Sequence, residues 1–244
     1  MIDLVLVHAF PFDSRLFAEA VPGLAGAARV HTPDLPGYGA SPEQPVDSID
    51  TMADHLRRYV EARGLTRFVL GGLSMGGYVA FAYWRRHARE RRPAGLVFAD
   101  TRAEADGPEQ KRARDEVART VLEEKSLAPY ATRALPSLLA PGAPPEVVAC
   151  ARRLIEAQSP KAVAAGARAL RDRPNSVALL PGMEVPALVV CGEADVLTSP
   201  GPMQDLASRL KDARYVGIAG AGHLPALEKP EAFAAALAAF LKRF

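Results

Sequence analysis

Three side chains in this sequence have the types and settings needed for nucleophilic chemistry: Ser74, Asp195 and His223. Ser74 stands at the centre of Gly71-Gly72-Leu73-Ser74-Met75-Gly76-Gly77, between the apolar run Arg67-Phe68-Val69-Leu70 and the helix-like segment Tyr78-Val79-Ala80-Phe81-Ala82-Tyr83-Trp84. A serine on a sharp strand-to-helix turn projects its hydroxyl alone, and glycines two residues to either side let neighbouring backbone close around the turn. The helix that begins there also aims free N–H groups and its positive dipole end at any negative charge forming beside the serine. A hydroxyl is a weak nucleophile at neutral pH, so it needs a histidine to take its proton and a carboxylate to orient that histidine.

The chain supplies both after strand-like segments. Val185-Pro186-Ala187-Leu188-Val189-Val190-Cys191 runs into Gly192-Glu193-Ala194-Asp195, and Arg214-Tyr215-Val216-Gly217-Ile218 runs into Gly220-Ala221-Gly222-His223. Asp100 follows another strand-like run and is a rival for the acid, whereas Asp34 and Glu193 are weaker candidates. Asp34 lies in a Pro- and Gly-rich turn, where a carboxylate ordinarily caps backbone.

The elements that must position these groups are apolar runs at 3–8, 28–32, 67–71, 95–99, 186–191 and 214–218, which read as buried parallel strands. Parallel neighbours need crossovers, and Ser48 to Arg63, Tyr78 to His87, Pro202 to Leu210 and Glu231 to Phe244 supply amphipathic candidates. The fold class is therefore α/β, a doubly wound and mostly parallel sheet. Between Asp100 and Leu180 the strand pattern gives way to helical blocks near 108–125, 128–139, 145–158 and 160–171. This predicts a helical cap over 102–180 inserted into a core made of 1–101 and 181–244, set over the strand ends where an α/β sheet binds its ligand.

The chain resembles the α/β-hydrolase superfamily. The resemblance rests on His8-Ala9-Phe10-Pro11, on Asp34-Leu35-Pro36-Gly37-Tyr38-Gly39-Ala40-Ser41, on the Ser74 turn, and on the Asp195 and His223 loops in that order. Within the superfamily it is most similar to small bacterial carboxylesterases and 3-oxoadipate enol-lactonase-like enzymes. What the resemblance implies is a cofactor-independent Ser74-His223-Asp195 triad acting on a small-molecule ester, with backbone N–H groups of Met75 and Phe10 as oxyanion donors. A carboxylate-bearing enol-lactone is the alternative substrate, with Arg102 or Arg133 as its candidate partner, and a ligand receptor is the non-enzymatic alternative. Family members carry glycine where this chain has Ala9, so a left-handed backbone there would be strained. They also begin with an antiparallel strand pair, so the sheet is expected to be shortened at that edge. Phe12, Leu138, Leu139 and Leu224, with Phe10 and Met75, are the apolar candidates for a pocket suited to a short or medium acyl group.

Composition agrees with a small-molecule enzyme. The 244 residues are 49% hydrophobic, enough for a large core, and the net charge of +2 offers no case for a nucleic-acid partner. Arg85-Arg86 and Arg89-Glu90-Arg91-Arg92 read as a solvated helix end. Cys150 and Cys191 imply no disulfide framework, and no His/Cys/Asp cluster has metal spacing. No apolar run approaches the roughly 18 residues that span a bilayer, so the expectation is a cytoplasmic protein, monomer or homodimer.

Overall fold

The computed structural model describes residues 1–244. Six strands, β1 (Ile2–Val7), β2 (Ala28–His31), β3 (Phe68–Leu73), β4 (Gly95–Ala99), β5 (Ala187–Gly192) and β6 (Ala213–Ile218), form one sheet in the order β2-β1-β3-β4-β5-β6. Every pairing is parallel. The sheet thus has β2 at one edge and β6 at the other. Strands β3, β4 and β5 are buried at every position, which is why they read as continuous apolar runs and not as alternating ones.

The chain places β2 on one side of β1 and β3 on the other. The strand order therefore reverses at the β1/β3 boundary, and the crevice beyond the carboxyl ends of those two strands is where such a sheet binds its ligand. The loops from β1 (His8 to Phe12) and from β3 (Ser74) flank that crevice.

Five helices accompany the strands of the sheet. Helix α1 (Ile49–Ala62) buries Ile49, Met52, Ala53, Leu56 and Val60, a helical stripe, and starts at Ser48, whose hydroxyl accepts from Thr51 N–H. Helix α2 (Met75–His87) lies almost wholly inside, and its basic end is not a bare solvated patch. Arg86 and His87 both pair with Asp54 of α1, at 2.8 Å and 2.7 Å, and Arg85 pairs with Asp50. Helix α7 (Pro200–Arg209) follows β5, and a single-turn α8 (Pro225–Glu228) precedes α9 (Pro230–Leu241) after β6.

Four helices occupy the long stretch between β4 and β5: α3 (Pro108–Glu124), α4 (Ala128–Leu138), α5 (Pro145–Glu156) and α6 (Pro160–Arg171). Buried polar contacts tie them to the loops at the strand ends. Tyr38 Oη donates to Ala162 O at 3.0 Å, Gln158 Nε2 donates to Asp13 Oδ2 at 2.7 Å, and Gly39 N–H donates to Gln158 Oε1 at 3.1 Å. Leu138 O accepts His223 N–H at 3.1 Å. A Cβ at Gly166 of α6 would stand 2.0 Å from Tyr38 Oη, so the close seat of α6 on the β2 loop requires glycine there.

Candidate functional site

Ser74 has φ 53°, ψ −110°, a left-handed conformation that only a tightly built turn sustains in a residue with a side chain. Its flanking glycines explain how the turn is built. A Cβ on Gly72 would fall 2.0 Å from Gly76 backbone, and one on Gly76 would fall 2.1 Å from Val7 O. Ser74 N–H donates to Ala99 O at 2.8 Å, and Thr101 Oγ1 donates to Ser74 O at 2.9 Å, so β4 holds the turn from the other side.

Ser74, His223 and Asp195, separated by up to 149 residues in sequence, meet in one chain of hydrogen bonds. Ser74 Oγ lies 2.8 Å from His223 Nε2, and His223 Nδ1 lies 2.8 Å from Asp195 Oδ2. His223 and Asp195 are both buried. Burial alone would raise the Asp195 carboxyl, but hydrogen bonding and charge from His223, with further donors from Thr198 Oγ1 and Leu197 N–H, hold it below the usual carboxylate range. Leu197 N–H and Thr198 N–H reach Asp195 Oδ1 at 2.7 Å and 3.1 Å. With its carboxylate ionised and facing Nδ1, the imidazole presents Nε2 to the serine hydroxyl, the arrangement in which it can accept a proton.

Asp100 is also at this centre but is held differently. Its backbone is left-handed, φ 42°, its Oδ1 accepts Gly192 N–H at 2.8 Å, and its Oδ2 is buried with no hydrogen-bond partner. It does not contact the imidazole as Asp195 does. Burial first, and then the Asp195 charge, push its carboxyl well above the ordinary range, opposite to the shift of Asp195.

The β1 loop completes the crevice. His8 Nδ1 lies 3.0 Å from Ala9 O, while its Nε2 accepts Leu35 N–H at 3.1 Å. One nitrogen accepts, so the other carries the proton and the ring is neutral, in keeping with burial lowering its pKa. Ala9 is not among the residues of positive φ, so alanine replaces the family's glycine without backbone strain. The N–H groups of Phe10 and Met75 donate to no protein acceptor, although both residues are buried. Unpaired buried N–H groups are rare, and Phe10 lines the same cavity as Ser74.

A cavity of about 180 Å³ opens on Ser74 and His223. Of the apolar residues expected from sequence, Phe10 and Leu138 line it. Phe12, Leu139 and Leu224 do not. Phe12 and Leu224 are fully enclosed in the core, and Leu139, where α4 ends in extended backbone, faces a separate surface cleft with Pro136 and Val148. Met75 is fully buried and does not line the cavity. The wall instead takes Tyr78 from α2, Arg114 from α3, Tyr130 and Ala134 from α4 and Leu170 from α6. Arg102 also lines the cavity, while Arg133 is on the surface in a pair with Glu124.

Glu228 is a residue that sequence reasoning missed. Buried at the end of α8, its Oε1 accepts Gly222 and Leu224 N–H at 2.9 Å and 3.2 Å, and its Oε2 accepts Ala140 N–H at 2.7 Å. It fixes the backbone on both sides of His223 to the end of α4. Asp34, by contrast, caps Ser14 and Ala40 N–H at 2.6 Å and 2.8 Å, the ordinary role of an acid in such a turn. No helix is long and apolar enough to cross a membrane.

The chain belongs to the alpha/beta hydrolase family, which it matches over residues 4–236. Among its relatives, a pimeloyl-[acyl-carrier protein] methyl ester esterase from Chromobacterium violaceum is 30% identical over 98% of this chain and 94% of its own. A thermophilic esterase from Thermogutta terrifontis, solved with malate bound, is 38% identical, superimposes with a TM-score of 0.95, and is matched over 100% of this chain and 90% of that one. The enol-lactonase from Burkholderia xenovorans is 27% identical with a TM-score of 0.87, over 99% and 91% of the two chains.

Proposed function

We propose that this protein is a carboxylesterase that cleaves short- to medium-chain esters by acyl transfer through Ser74. The observation that carries the reading is the continuous hydrogen-bond chain from Ser74 Oγ through His223 to Asp195. As Ser74 Oγ attacks the ester carbonyl, His223 Nε2 takes its proton and Asp195 stabilises the imidazolium. The carbonyl oxygen becomes an oxyanion facing the free N–H groups of Phe10 and Met75, each such donor lowering the barrier by about 3 kcal/mol. The tetrahedral intermediate collapses as the carbon–oxygen bond to the alcohol breaks, and the alcohol leaves with the proton from His223. Water, deprotonated by the same nitrogen, then attacks the acyl-enzyme, and Ser74 recovers its proton as the acid departs.

Residues 102–180 serve in this reading as a cap on a core of 1–101 and 181–244, because side chains from α3, α4 and α6 close the cavity over Ser74. A dry enclosure strengthens the oxyanion contacts. The cavity volume of about 180 Å³ favours a short acyl chain. Opening of an enol-lactone is the second reading. It uses the same steps, and the similarity to the Burkholderia enol-lactonase supports it. Hydrolysis of p-nitrophenyl esters from acetate to decanoate, with Ser74→Ala alongside, tests the proposal. The expected result is turnover that peaks at a short chain and falls by about 10⁴-fold or more in Ser74→Ala; wild-type turnover in that variant would end it.

A further inference from the structure

The wall of the cavity carries an unbalanced charge. Two of its side chains are guanidiniums, Arg102 and Arg114, and none is a carboxylate. Behind them lies Asp106, with no side-chain exposure, which meets Arg173 at 2.7 Å, Arg114 at 3.2 Å and Arg102 at 3.6 Å. None of these arginines pairs with any other acid, so one carboxylate faces three guanidiniums.

The three are not equivalent. Arg173 is 2% exposed, lies 4.2 Å over the Tyr78 ring, and donates to Leu170 O and Glu104 O at 2.9 Å and 3.1 Å. Its two terminal nitrogens are thus occupied within the protein, although its Nε, buried, has no hydrogen-bond partner. Arg102 and Arg114 keep about a third of their side-chain exposure, 30% and 27%. Arg114 makes one hydrogen bond, Nε to Asp106 Oδ2 at 3.2 Å, and Arg102 makes none, its buried Nε being without a partner. Each guanidinium has five N–H donors in a planar fork that matches a carboxylate. Two such cations with spare donors, set on the wall beside Ser74 and His223, make an anion the complementary occupant.

We infer that Arg102 and Arg114 form a carboxylate subsite, and that the esters or lactones this enzyme favours carry a free carboxylate. The inference rests on reading Ser74 as the nucleophile. Asp106 is then a positioning residue that aims the two guanidiniums, while Arg173 offsets the cost of burying its charge.

The test compares kcat/KM for monoethyl glutarate with that for ethyl glutaramate, its neutral amide of the same shape. A second pair, 4-acetoxybutanoate and its amide, puts the charge on the alcohol side. The expected result is a preference of about tenfold or more for the anion in at least one pair, the strength of a charge-assisted hydrogen bond. The preference should weaken as ionic strength rises and collapse toward unity in Arg102→Gln or Arg114→Gln. Because the ratio is internal to each preparation, partial misfolding of a variant does not change it. Equal rates in both pairs of the wild-type enzyme, or a preference untouched by either substitution, overturn the inference. Calorimetry of glutarate with Ser74→Ala reads the subsite without turnover. Glutarate binding with no ester turnover keeps the subsite and ends the esterase reading; turnover of neutral esters with no glutarate binding does the reverse.

Discussion

Two carboxylates follow adjacent parallel strands, and their surroundings shift them in opposite directions. Asp195, beyond β5, sits in a loop that turns the N–H groups of Leu197 and Thr198 and the Thr198 hydroxyl onto it, and it meets His223 at 2.8 Å. Asp100, beyond β4, has one donor, Gly192 N–H, and an unpartnered second oxygen in a fully buried place. Their oxygens and a His223 nitrogen lie within 4.8 Å of one another. Two like charges so close and so dry cannot both ionise cheaply, and the site with more donors keeps the charge. A position at the end of a strand does not make an acid useful to a histidine. The donors of the following loop do.

Swapping each acid for its amide gives the largest test of this contrast. Asp195→Asn should lower kcat/KM for p-nitrophenyl acetate by about 10⁴-fold, because asparagine favours the wrong imidazole tautomer. Asp100→Asn should stay close to wild type, since Asp195 and not Asp100 bonds the imidazole. If Asp100→Asn is the damaging change, the assignment is reversed.

A smaller effect should follow from thinning the donors around Asp195. Thr198→Val removes the hydroxyl that donates to Oδ2, and kcat/KM should fall about tenfold, close to the 1.4 kcal/mol of one hydrogen bond to a charge. An unchanged rate would place the preference for an ionised Asp195 in the backbone donors alone.

The smallest effects are on stability, and their signs differ. Asp195 has a lowered carboxyl in the folded protein, so its stabilisation is present above the ordinary value of 3.8 and is lost as pH falls below it toward the folded value. Asp100 has a raised one, so the folded state is penalised as pH rises above 3.8, where only the unfolded chain ionises freely. Urea unfolding should therefore show Asp100→Asn gaining on wild type as pH rises above about 4. A gain that is flat with pH would mean that Asp100 ionises as readily folded as unfolded.

Much of this site was written locally. The Ser74 turn needs its glycines within two residues, where backbone from the same turn and from Val7 closes in, so a short motif carries the whole geometry. Ser74 and Asp195 follow fully buried strands, whose apolar runs announce them, while His223 follows the half-buried edge strand β6, and the loops inherit their order from the sheet. The wall of the cavity was not legible in this way. Tyr130, Arg114 and Leu170 come from three different helices, and which face of each turns inward depends on how the helices dock. Leu139 illustrates the difficulty: one residue past the end of α4 the backbone becomes extended, and the side chain turns to another cleft. The raised carboxyl of Asp100 was equally hidden, because it depends on burial and on the charge of Asp195, which lies beyond another strand. Glu228 gave no signal either, since its role is to gather N–H groups from two separate loops.

The central claim is that Ser74 carries the acyl group between two half-reactions. Acid quenching the enzyme during turnover of p-nitrophenyl acetate, followed by peptide mass mapping, tests it most directly. The account predicts one acetyl group on the peptide holding Ser74, retained longer when Asp195 is replaced by asparagine. Turnover with no adduct, or an adduct on a different residue, would contradict it.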